Sequence, residues 1–268
     1  MTEEQLLYAP LLDIPIIHGR FVCNEVLSNF ELPPTTIPEN LHVVTVLDKP
    51  CADQRTVRAM NSGVERVHVK VVDEYIKWIS KIEGLKEYIE DNYDSLPEYL
   101  LYLDGIDTLI LKDIGDPKQY LDFYGCKVLF NAEPFFHHTG FAGPTPNYFD
   151  RLYTTESYRH DRLILEKFKV PILMSLNAGV FLGEKDYILK LLNETYILMT
   201  DDPRKGFPYG CMDDQCLLRY LHNEHFEDIG IDVFNKVSFW GCPQAFDGTF
   251  GNYSIKYAES LLKNLNNE

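Results

Sequence analysis

The chain has 268 residues and a mass of 31.1 kDa, with 45% hydrophobic and 13% aromatic residues, so it can bury a large core as one domain or two small ones. A formal net charge of -16 and a pI near 4.9, with no Lys/Arg stripe to offset them, argue against DNA or RNA as a partner. They leave room for a single nucleotide, whose phosphates a metal and one or two lysines can neutralise. The cysteines (Cys23, Cys51, Cys126, Cys211, Cys216, Cys242) are scattered with no C-x-x-C pair, which speaks against a zinc ribbon or redox motif. No signal peptide is read at Met1-Thr2-Glu3-Glu4, and no apolar run approaches about 18 residues. The expectation is a cytoplasmic protein with reduced thiols and no membrane span.

Residues 1–40 mix apolar pieces with turn residues and end in Leu32-Pro33-Pro34-Thr35-Thr36-Ile37-Pro38. They read as an irregular strap followed by a stiff extended connector, with His18 and Cys23 in structural roles. Leu41 to Asp48 is the first clear strand, β-branched and bounded by Lys49-Pro50. Asp53 to Met60 reads as a helix stopped by Asn61-Ser62-Gly63. Val67 to Val72 is a second strand. From Asp73 a long helix carries Ile76, Ile79, Ile82, Leu85 and Ile89 at helical spacing, weakened slightly by Gly84. A third strand, Leu100 to Leu103, runs into Asp104; Gly105 permits a tight turn before Asp107 and a second apolar run. This alternation is the βαβ rhythm of a parallel sheet.

Asp116 to Tyr124 reads as a short helix with Pro117 at its first position. Lys127 to Glu133 is a buried strand ending in a carboxylate. Residues 134–153 are rich in Gly, Pro and aromatics and suggest a binding loop or lid. His137-His138 within it point apart on most backbones, which favours packing or substrate contact over metal binding. Glu156 to Phe168 is read as helical and closed by Pro171. Leu176 to Gly183 is read as a small-residue turn feeding a strand. Asp186 to Met199 is an amphipathic helix with Ile188, Leu191, Leu192 and Tyr196 inward. Asp213-Asp214-Gln215 caps a helix over Cys216 to Leu221, late strands lie within Ile231 to Trp240, and Ser254 caps a final helix. No internal repeat interrupts this order. The expected organisation is a strap and connector over 1–40 and one α/β domain over 41–268.

Ligands of open α/β sheets collect at the carboxyl ends of strands, where Asp104 and Asp107 fall. Two such oxygen donors can share a hard cation, Mg2+ or Mn2+; the plain alternative is an Asx-type turn with solvated carboxylates. The spaced set of Asp104-Gly105-Ile106-Asp107, Asn131-Ala132-Glu133, Leu176-Asn177-Ala178-Gly179-Val180-Phe181-Leu182-Gly183 and Asp213-Asp214-Gln215 resembles one enzyme family. It is similar to the glycosyltransferase domain of the procollagen lysyl hydroxylases and related collagen glycosyltransferases, enzymes of the GT-A type. Val44-Thr45-Val46-Leu47 resembles the family's T-V-A strand, and a family lysine falls at Lys81. The N-A-G-V and D-Q elements are also similar to the glycogenin-like family. The chain departs at Ile106, where the family has an aromatic residue, and at Val233, where it has a metal-binding histidine. Asp232, Asn235, His222 and His225 are candidates for the vacated role.

The resemblance implies a GT-A fold, a Rossmann-like mixed sheet flanked by helices. It also implies a hexosyltransferase using a UDP-sugar, UDP-glucose or UDP-galactose, and a hydroxyl acceptor on a protein or glycan. Asp104 and Asp107 would hold Mn2+ or Mg2+ as Lewis acid and template. Thr45, Val46, Leu47, Lys81, Asp104, Gly105, Asn177, Ala178, Gly179 and Gln215 would bind the nucleotide-sugar. Asp213 and Asp214 would be catalytic, one capping the helix and one working. For Lys81 the plain alternative is a solvated helix lysine; Glu133 is either a pocket residue or a bare strand end. Two rivals are a haloacid-dehalogenase-like phosphatase, whose D-x-D-x-T spacing is one residue shorter, and a non-catalytic nucleotide-sugar binder with a decayed metal site.

Overall fold

The structure, a computed structural model, describes residues 15–18, 35–48, 67–74, 77–105, 108–110, 112–134, 174–200 and 214–240. The helices expected over 53–60, 156–168 and from Ser254, the aromatic loop beyond Pro134, and Ile106, Asp107 and Asp213 lie outside these residues. In chain order the elements are β1 (Ile16–His18), β2 (Leu41–Asp48), β3 (Val67–Val72), α1 (Lys77–Asn92), β4 (Tyr99–Leu103) and β5 (Thr108–Ile110). They continue with α2 (Pro117–Tyr124), β6 (Val128–Pro134), β7 (Met174–Glu184), α3 (Lys185–Thr200), α4 (Asp214–Glu224), β8 (Ile229–Ile231) and β9 (Ser238–Trp240). Among the described residues no helix is long and apolar enough to cross a membrane.

Six strands form one sheet in the order β3-β2-β4-β7-β6-β8. The parallel rhythm read from the sequence holds for β3, β2 and β4. It ends at β7, which enters between β4 and β6 antiparallel to both, so the sheet is mixed. Central strand β4 is buried along its whole length, as expected of a strand covered on both faces. The chain leaves β2 for β3 on one side, then returns through α1 to β4 on the other. That reversal makes a topological switch point between the carboxyl ends of β2 and β4, where sheets of this kind have the crevice that takes ligands. Asp104 is the first residue beyond β4.

Helix α1 drives Ile82, Leu85 and Ile89 into the core. Gly84 has a structural reason beyond its poor helix propensity. A Cβ there would lie 2.9 Å from Val46 Cγ1 and 3.0 Å from Val72 Cγ1, so the missing side chain lets α1 settle on β2 and β3. Helix α3 packs against α1 and α4, with Ile188, Leu191 and Leu192 buried. Tyr196 is half-buried instead, and its hydroxyl donates to Glu83 Oε1 at 3.4 Å. Asp116 caps α2 by accepting from the Lys118 N–H at 3.2 Å, and Gly125 ends it at φ 63°.

The N-terminal strap is not wholly irregular. Its residues 16–18 form β1, held antiparallel to β5 and parallel to β9 in a separate three-stranded sheet.

Candidate functional site

Lys81, on α1, is 2% exposed, which excludes the solvated alternative. Its ammonium lies 2.8 Å from Asp214 Oδ2 and 3.1 Å from Asp104 Oδ1, and it donates to the Ala178 carbonyl at 2.8 Å. Removing an ammonium from water costs several kcal/mol unless its N–H bonds find acceptors. Here the ammonium has two carboxylates within ion-pair distance and a carbonyl that accepts one of its N–H bonds. The Tyr102 ring lies beneath it, 4.8 Å from Nζ to the centroid. One buried cation thereby joins α1, the end of β4, the middle of β7 and the start of α4.

The segment expected as a turn before a strand, Leu176 to Gly183, is strand throughout, and its small residues make a bulge. Phe130 of β6 pairs with Phe181 of β7, but the next residue, Asn131, pairs with Asn177. Ala178, Gly179 and Val180 are thus looped out from β6, a distortion that re-aims backbone beside a site. The bulge's polar groups are bound within β7 and by neighbouring elements. The Ala178 N–H donates to Gln215 Oε1 at 3.2 Å, and the Gly179 N–H donates to Asn177 Oδ1 at 2.8 Å. The Gly179 carbonyl accepts from the Asp104 N–H at 2.7 Å. Lys81, Asp104, Asn177, Ala178, Gly179, Asp214 and Gln215, scattered along the sequence, therefore form one connected cluster.

Within the cluster the side chains of Lys81 and Asp214 are each 3% exposed, whereas that of Asp104 is 33% exposed. Asp104 is the face the cluster turns outward. It accepts a hydrogen bond on Oδ1 from the Tyr102 hydroxyl at 2.9 Å. Sequence reading missed Tyr102 because it sits within an apolar strand. The available signal was spacing, since residues i and i+2 of a strand share a face.

Gly105 is buried at the bend after Asp104. Thr45, Val46 and Leu47 are core residues of β2, at the crevice end of that strand, with Val46 against Gly84. Asp214 is the first residue of α4, and Glu133 lies in β6.

The candidates for a further metal ligand are engaged in the fold. Asp232 is fully buried and accepts from the Tyr124 hydroxyl at 2.6 Å and from the N–H groups of Lys236, Val237 and Ser238 at 2.7, 2.8 and 2.8 Å. Burial pushes its carboxyl above the usual range against the pull of those donors. Asp232 thus builds the turn that separates β8 from β9, the late strands expected in this stretch. Asn235 occupies that turn at φ 51°. His225 Nε2 lies 2.7 Å from Glu194 Oε2, and buried His222 meets the Phe226 ring edge-on. Among the described residues no three metal-binding side chains converge. For a hard divalent cation the cluster supplies the partly exposed carboxylate of Asp104.

Scanned against models of protein families, the chain matches none, and a search of curated proteins finds no match either.

Proposed function

We propose that the chain is a GT-A-type glycosyltransferase that moves a hexose from a UDP-sugar, UDP-glucose or UDP-galactose, to a hydroxyl on a protein or glycan. The observation that carries this reading is the position of the buried Lys81 cluster. It stands at the switch point of the sheet and joins the motif residues Asp104, Ala178 and Asp214. Of the three charged members Lys81, Asp104 and Asp214, Asp104 is the one partly exposed, and so the one a ligand can reach.

In this reading the donor's diphosphate lies at Asp104 and its sugar against the Ala178–Gly179 bulge, where small residues allow a ligand close to the backbone. Mn2+ or Mg2+ on Asp104 and Asp107 would neutralise the departing UDP. Lys81, fixed between Asp104 and Asp214, holds the diphosphate and sugar ends at one separation. Of the catalytic candidates Asp213 and Asp214, one stabilises positive charge at the anomeric carbon or takes the acceptor's proton. Asn177 and Gln215 keep the bulge in shape.

The test is release of UDP from each UDP-sugar on adding hydroxyl acceptors. Asp213→Asn or Asp214→Asn is expected to lower turnover about 100-fold or more, the scale of a lost general base. Undiminished turnover in both variants would remove the pair from the chemistry, and no UDP release from either sugar nucleotide would count against the reading as a whole.

A further inference from the structure

We infer that Tyr102 is a positioning residue of the proposed donor site, holding Asp104 and Lys81 in the geometry that meets the nucleotide; this rests on the reading of Asp104 as the residue facing the donor. Tyr102 is 1% exposed, and its ring stacks on Phe181, its cross-strand partner, at 4.9 Å between centroids and 19° between planes. The ring cannot swing, so its hydroxyl has one direction. That direction is Asp104 Oδ1, 2.9 Å away and two residues on, just beyond the end of β4.

A phenylalanine would fill this position without the cost of burying a hydroxyl. What the oxygen adds is the bond to Asp104. It is a charge-assisted bond, stronger than a neutral one, and it acts on the same carboxylate oxygen that Lys81 approaches at 3.1 Å. Asp104 follows the last residue of a strand, where nothing in the ladder fixes its side-chain torsions. With Oδ1 held by Tyr102 and Lys81, the carboxylate is anchored on its inner side and presents its exposed third outward. The ring meanwhile carries the Lys81 ammonium 4.8 Å above its centroid, so one side chain seats both charges. Groups held in place before a ligand arrives cost less to organise when it binds.

The experiment is calorimetric binding of UDP, with Mn2+ and with a chelator, to wild type, Tyr102→Phe, Asp104→Ala and the double variant. Tyr102→Phe keeps the ring stack and the seat for Lys81 and loses only the O–H. It is expected to weaken UDP binding in Mn2+ about tenfold, the scale of a hydrogen bond to a charged group, and to leave the same change without effect in the Asp104→Ala background. A residue with a merely structural role would lower the melting temperature and leave the Kd and its Mn2+ dependence unmoved. A Kd for Tyr102→Phe within twofold of wild type, or an equal loss in both backgrounds, would overturn the inference and leave the donor site standing. Failure of wild type itself to bind UDP would overturn the donor-site reading and this inference with it.

Discussion

At the scale of single residues, Lys81 shows what a sequence does and does not reveal. Its place relative to the Asp104 motif was legible from the resemblance. Its burial was not, because a lysine about one turn into an amphipathic helix looks the same whether it faces water or a pair of carboxylates. Removing one partner of a buried ion pair strands the others. Lys81→Met is therefore expected to destabilise the protein by about 3–5 kcal/mol, measured by urea unfolding. Adding Asp214→Leu, which removes the stranded buried carboxylate, should recover a large part of that loss. An equal or greater loss in the double variant would show that the pair is not the source of the cost. Tyr102 was illegible for a related reason, since a tyrosine in an apolar strand reads as core until its hydroxyl's target is seen.

At the scale of elements, the glycines record how closely the layers approach. Gly84→Ala gains about 1 kcal/mol in helix propensity but sets a methyl group 2.9 Å from Val46 Cγ1. Overpacking of that kind costs about 1–3 kcal/mol, so the variant is expected to be the less stable in thermal unfolding. Gly183→Ala is expected to be worse. Its Cβ would lie 2.7 Å from the Lys127 carbonyl oxygen and 2.9 Å from Val128 Cα, and backbone yields less than a side chain. If Gly183→Ala proved the milder change, the assigned β6–β7 register would be wrong. The strands themselves were readable from their apolar runs, but the direction of β7 was not. A strand buried on both faces carries the same run either way round, and direction is settled only by its partners. The bulge at Ala178 to Val180 was hidden in the same manner, because small residues suit a turn as well as a looped-out strand.

At the scale of the whole molecule, the α/β class followed from the alternation of strand and helix patterns. The three-residue strand β1 did not, being too short for a period to register. Charge and pH act at this scale too. His42 lies against His68, with ring centroids 4.3 Å apart, and its Nε2 is 2.7 Å from the Tyr88 hydroxyl. Burial, and secondly the charge of His68, push its pKa down from 6.5 to about 4. Between those values the unfolded chain binds a proton that the folded chain refuses. This contribution is complete above pH 6.5 and is lost as the pH falls toward 4. Partial exposure limits it to about 1–2 kcal/mol, and His42→Gln should shrink the difference in stability measured between pH 7 and pH 5. A net charge of -16 also means that an anionic nucleotide approaches an anionic protein, so a cation at its phosphates should govern affinity. The most direct test of the proposed function is therefore titration calorimetry of UDP into wild type and Asp104→Ala/Asp107→Ala, each with and without Mn2+. The account predicts binding by wild type that depends on Mn2+ and vanishes in the double variant. Absence of UDP binding by wild type, or affinity untouched by both the metal and the two substitutions, would contradict it.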